Sequence, residues 1–182
     1  MAVEYAKVLK ALGRRFIVIG RGQNSALAFN EKIGIMPFVG GADLWFTQPH
    51  FWDKSGAGFR ENKTLPAQAI VVVTENELGN ITRRLIKSGI KSILVEKPGG
   101  LDSSDIKKVA KLAKARGAKV FVGFNRRFYA SVIKANQIIK QDGGVKSLFF
   151  EFTERSYVVD SLKKAPGVKK NWFLQNSSHV ID

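Results

Sequence analysis

Cysteine is absent from the 182 residues, which removes disulfides and thiolate metal sites from consideration. Long apolar runs are absent as well: nothing approaches the roughly 18 to 20 residues of a membrane-spanning helix. The amino end lacks the features of a signal peptide, so a soluble, cytoplasmic protein with no membrane partner is the default expectation. Acid is scarce, with 15 Asp and Glu against 30 Lys and Arg, a formal charge of +15. The first hundred residues hold 14 basic and 8 acidic side chains and the remainder 16 and 7, so the excess is spread along the chain. Lys107, Lys108, Lys111, Lys114 and Arg116 fall at helical spacing on what reads as a solvated helix face. A basic nucleic-acid-binding module would account for the charge, and so would a phosphate-rich small ligand such as a dinucleotide or a nucleotide-linked sugar. No metal site is expected.

What is present is the material of an α/β protein, 45% apolar and 25% charged. The length suits one domain and part of another, at about 150 residues per domain. The stretch Ile93-Leu94-Val95-Glu96-Lys97-Pro98-Gly99-Gly100 reads as a buried parallel strand that ends in a charge pair, a proline and two glycines. In an open α/β sheet ligands bind beyond the carboxyl ends of the strands, where Glu96 and Lys97 stand. A surface loop with a chance Lys-Pro is the competing interpretation of this octet.

Around that strand the pattern alternates. A helix is expected over 2–12 with Gly13 at its end, a strand over 15–20, a helix over 25–34 and a third strand over 36–39. Residues 40–66 fit no regular pattern; His50, beside Phe51 and Trp52, either stacks on a base or is structural. Strands follow at 69–74, 91–96 and 119–124, with helices over 76–88 and 103–116, the latter capped by Ser103 or Ser104. This alternation means a doubly wound parallel sheet with helices on both faces. After the second strand of a dinucleotide-binding unit, an acidic residue reads a ribose 2′-hydroxyl and an arginine accommodates a 2′-phosphate. Arg21 holds that position and Ser25 can add a hydroxyl, which favours NADP with NAD possible; an ordinary turn with Asn24 or Ser25 as helix cap is the alternative. From Gly123 the character changes: a helix over 130–141, a strand over 145–152, a basic loop over 156–170 and a loop entering a helix at 171–182. A second domain begins there, giving 1–122 as a Rossmann-like domain and 123–182 as the start of an α+β substrate domain.

Three motifs, Glu96-Lys97-Pro98, Gly123-Phe124-Asn125-Arg126-Arg127-Phe128 and Ser178-His179-Val180-Ile181-Asp182, occur in the order and spacing of the glucose-fructose oxidoreductase and inositol dehydrogenase family (Gfo/Idh/MocA), which the chain resembles. The resemblance implies a Rossmann domain for NAD or NADP and a second domain that binds sugars, cyclitols or related carbonyl compounds, in a parent that is a homo-oligomer. It implies that Lys97 contacts substrate and nicotinamide and that His179 donates or accepts the proton. Cofactor contacts are expected from Arg21, Ser25, Thr74, Glu96, Lys97, Pro98, Asn125 and Arg126, and substrate contacts from Lys97, Gln175, Asn176 and His179. Many relatives carry an aspartate where this chain has Gln175, so an amide is expected to hold the substrate hydroxyl. Histidine titrates near neutral pH and lysine supplies a cation for developing oxyanion charge, so both suit a hydride transfer matched to a proton transfer.

The family's first strand and glycine-rich pyrophosphate loop should precede Ala2, and most of the substrate-domain sheet should follow Asp182. With sheet order 3-2-1-4-5-6, the absent strand lies between those at 15–20 and 69–74. The chain is therefore expected to be an incomplete NAD(P)-dependent dehydrogenase; a non-catalytic fragment acting as a binding or interaction protein is the alternative.

Overall fold

A computed structural model describes residues 1–47, 65–178 and 182, which form two compact units, Met1–Pro66 and Ala67–Asp182. The first is built from α1 (Ala2–Ala11), β1 (Ile19–Gly20), α2 (Gln23–Ile33), β2 (Phe38–Val39) and α3 (Gly41–Thr47). Its two short strands pair in parallel, Ile19 opposite Phe38 and Gly20 opposite Val39. Ala6 of α1 and Phe29 and Ile33 of α2 are buried together, with Val3, Phe16, Val18 and Ile35 packed around them. The spacing of Phe29 and Ile33 puts both on one helix face, which is why α2 docks instead of standing free. Gly34 ends α2 in the left-handed conformation, its N–H donating to the Asn30 carbonyl. The Gly41–Thr47 helix is a correction to the expected irregular stretch, of which residues 48–64, His50 included, lie outside the described residues.

The second unit holds a three-stranded parallel sheet in the order β3 (Gln68–Val71), β4 (Ser92–Val95), β5 (Lys119–Val122), with crossovers through α4 (Leu78–Lys87) and α5 (Ser103–Arg116). In register, Val71, Val95 and Val122 stand side by side at the carboxyl edge. Ile93 and Val95 of the middle strand are fully buried, as are Leu78 and Ile86 of α4. Each such side chain contributes about 1.5–3 kcal/mol of burial free energy, so the centre of this unit is β4 and the helix face laid on it. The described strands make two sheets, β1–β2 in the first unit and β3–β4–β5 in the second.

Several expectations are corrected here. The cap of α5 is Asp102, whose carboxylate accepts the Asp105 N–H at 2.7 Å, in place of Ser103 or Ser104. α6 (Ala130–Gln141) forms as expected but buries none of its residues. Residues 145–152 join no ladder among the described residues, although their alternation is that of a strand; Leu148 is 81% and Phe149 90% exposed. A strand needs a neighbour to satisfy its backbone groups, and this segment has none there. The expected basic loop contains a short helix, α7 (Ser156–Ser161), followed by a 3-10 turn at Lys169–Asn171 and a π-helical turn at Phe173–Ser177.

Candidate functional site

Beyond Val95 the chain leaves the sheet through Glu96 and Lys97 into a tight turn, with Pro98, Gly99 and Gly100 buried. The Lys97–Pro98 peptide is cis, and Gly99 donates to the Glu96 carbonyl at 3.0 Å. Gly99 has φ +90°, and a Cβ there would stand 3.1 Å from Val122 Cγ2, so this position requires glycine on both conformational and steric grounds.

Two anchors hold the turn. On one side Asp105, in the first turn of α5, accepts the Leu101 N–H at 3.0 Å and pairs with Arg83 of α4. The carboxylate lies against Gly79 and Gly100, where any larger side chain would occupy its place. On the other side Gln175, buried in the π-helical turn, donates its amide nitrogen to the carbonyls of Gly100 at 3.1 Å and Leu101 at 2.6 Å. Its main-chain carbonyl in turn accepts Lys97 Nζ at 2.9 Å. Gln175 Oε1 is buried without a partner.

Burial pushes the Lys97 ammonium below the ordinary lysine value, opposed by Glu96 and Glu75 and reinforced by Lys164 and Arg126. Glu75, just after the exposed Thr74 in the segment that follows β3, accepts Lys164 Nζ at 2.7 Å, and that bond holds its carboxyl below the usual value. A half-buried lysine of reduced basicity at a strand's carboxyl end is the kind of group found at functional sites. It keeps two N–H donors after serving Gln175.

Of the residues singled out from sequence, Glu96, Lys97, Pro98 and Gln175 stand together, and Arg126 lies within electrostatic reach of Lys97. Asn125 and Arg126 open an exposed 3-10 turn after β5. Asn176 is exposed and donates to Glu154 at 2.9 Å. His179 lies outside the described residues, while Asp182 receives Arg127 through two bonds. Arg21 and Ser25 belong to the other unit. Arg21 is exposed, its stem laid over Gly41, and Ser25 Oγ donates to the Gly22 carbonyl at 2.8 Å. Sequence reasoning gave no site role to Asp105, Arg83, Glu75 or Lys164: Asp105 reads there as an acid in the first turn of its helix and Glu75 as one that favours a helix start.

Parallel strands, βα crossovers and a charged turn at the carboxyl edge define a Rossmann-type nucleotide-binding fold. The profile of the oxidoreductase family with an NAD-binding Rossmann fold (Gfo/Idh/MocA) matches residues 16–124. The chain belongs to that family. No curated protein matches the sequence. Among solved structures it is similar to the WlbA dehydrogenase of Bordetella pertussis in complex with NADH and UDP-GlcNAcA, at 14% identity and TM-score 0.60, covering 77% of this chain and 39% of that one. It is similar to myo-inositol 2-dehydrogenase of Lactobacillus plantarum, at 16% identity and TM-score 0.56, covering 72% and 34%. The WlbA (WbpB) dehydrogenase of Thermus thermophilus in complex with NAD and UDP-GlcNAcA gives 16% identity and TM-score 0.56 over 75% and 42%. These likenesses show the fold, and the chain spans between a third and about two fifths of the length of those proteins. Among the described residues no helix is long and apolar enough to cross a membrane.

Proposed function

We propose that the intact protein is an NAD(P)-dependent dehydrogenase acting on a sugar, cyclitol or nucleotide-sugar-like alcohol or carbonyl compound, in the cytoplasm and as a homo-oligomer. The observation that carries this reading is Lys97: a half-buried ammonium of lowered basicity, held at the carboxyl end of β4 in a turn anchored from both sides. The nicotinamide, when bound, takes or gives the hydride. Lys97 donates to the substrate oxygen and stabilises the negative charge that develops there, and His179 takes up or returns the hydroxyl proton. Asn176 holds a substrate hydroxyl, and Gln175, buried beside it, serves the substrate through Lys97, whose ammonium its main-chain carbonyl accepts.

For the cofactor, Thr74, Glu96, Lys97 and Pro98 line the strand ends, with Asn125 and Arg126 in the turn after β5. Arg21 fits a phosphate: its guanidinium is exposed at the end of β1, before a helix whose N-cap, Gly22, offers no side-chain acceptor to compete. This favours NADP over NAD. The domain division at 122/123 follows from the same reading, with residues 123–182 opening the substrate domain. Nucleic acid is not a partner in this reading.

Calorimetric titration of NADPH and NADH against the chain and against a version extended at both ends tests it. Arg21→Ala should abolish the preference for NADPH while leaving NADH affinity unchanged. Equal affinities before the substitution refute the assignment. A second reading, a non-catalytic binding protein, is favoured if the extended chain binds cofactor but turns over no sugar or cyclitol.

A further inference from the structure

Lys97 makes its described hydrogen bond to the main chain of the residue whose side chain also grips the turn that carries Lys97. We infer that Gln175 is a positioning residue: by fastening the Gly100–Leu101 turn to its own backbone, it fixes where the Lys97 ammonium stands. This rests on the reading that Lys97 faces the reacting oxygen.

Three features carry the inference. The grip is doubled, with one amide nitrogen shared between two carbonyls, and it is 3% exposed, so water does not compete for it. Glutamine alone among the uncharged side chains of this size supplies a donor there; both facing atoms are carbonyl oxygens, so a carboxylate would be repelled. The acceptor for Lys97 is a neutral carbonyl, which orients the ammonium without supplying a counter-charge. A carboxylate from the same residue would bind Lys97 more strongly and raise its basicity. The charges that act on Lys97 come instead from Glu96 and Glu75 on the favourable side and Lys164 and Arg126 on the other. The remaining two N–H donors of Lys97 stay available to a substrate oxygen while the third keeps its bond.

The test is competitive acetylation of the 182-residue chain with acetic anhydride across pH, read lysine by lysine by mass spectrometry. The exposed Lys107 and Lys111 serve as internal references. In the wild type, Lys97 should acetylate more slowly than these at high pH, where all amines are neutral, and titrate below them. In Gln175→Met, which keeps the volume and removes the donors, the protection of Lys97 should fall about fivefold, the scale of one neutral hydrogen bond, while Lys107 and Lys111 are unchanged. In Gln175→Glu the Lys97 midpoint should move upward, toward the references. The second variant retains the side-chain length, so a folding failure in one does not remove the other comparison. Unchanged Lys97 rate and midpoint in the folded variants, with only a lowered unfolding midpoint, overturns the inference and leaves Gln175 a packing residue. Failure of the dehydrogenase reading shows separately, as normal turnover of Lys97→Ala in the extended protein, without altering the labelling pattern.

Discussion

Asp105 ties α4, α5 and the Lys97 turn together, and the cost of removing it can be worked out from its contacts. Asp105→Ala deletes the acceptor of the Leu101 N–H and the partner of Arg83, in a pair whose side chains are 17% and 25% exposed. A hydrogen bond to a charged group is worth about 1.5–3 kcal/mol, and the orphaned, mostly buried guanidinium adds to that, so the loss should be about 2–4 kcal/mol. Asp105→Asn keeps an oxygen for Leu101 and loses only the charge, so it should cost about half as much. Urea unfolding monitored by circular dichroism measures both. A double-mutant cycle with Arg83→Ala should return a coupling of about 1 kcal/mol or more. Gly79→Ala supplies an independent check. In an exposed helix it would stabilise by about 1 kcal/mol, but here its methyl group falls on the Asp105 carboxylate, so the sign should reverse. A loss below about 0.5 kcal/mol in Asp105→Ala, the range of ordinary surface changes, would show that the carboxylate anchors nothing.

Because burial lowers the basicity of Lys97, the unfolded chain binds more protons than the folded one between the depressed value and the ordinary lysine value. Folding stability therefore rises with pH across that window, and the stability difference between wild type and Lys97→Met should shift toward the wild type as pH climbs from neutral; a flat difference would contradict the shift. In the extended protein, Lys97→Ala and His179→Ala should each reduce turnover by about two orders of magnitude or more, with cofactor titration of His179→Ala unchanged. Normal turnover of His179→Ala would withdraw the proton-transfer role. Leu148→Ser with Phe149→Ser should change the unfolding free energy read from urea titration by less than about 0.5 kcal/mol in this chain and raise its solubility; a large loss would mean those side chains are packed.

Elements that carry their own signals were legible in the sequence. The 3.6-residue periodicity and the glycine stops at Gly34 and Gly117 gave α2 and α5 nearly to the residue, because a helix satisfies its backbone internally. Strands were legible in place but not in length: residues 15–20 shrink to Ile19–Gly20, and residues 145–152 join no ladder, because pairing depends on a neighbour. The α5 cap was misassigned because Ser103, Ser104 and Asp102 are all good caps, and the choice fell to the one whose oxygen meets the Asp105 N–H. At the site, the strand-end motif exposed Lys97, but the link to Gln175 spans 78 positions, and no local pattern reports a contact at that separation.

The division into two units, each with its own buried apolar cluster, bears on how the molecule melts. Met1–Pro66 rests on Ala6, Phe29 and Ile33, while Ala67–Asp182 rests on β4 and α4. If the two clusters come apart at different temperatures, calorimetry shows two steps, and a single transition temperature is then not a defined property of the chain. A ligand that binds only the folded chain raises the step in which its site is lost, by mass action. Following the calorimetric trace through its whole range keeps such a binder from being passed over.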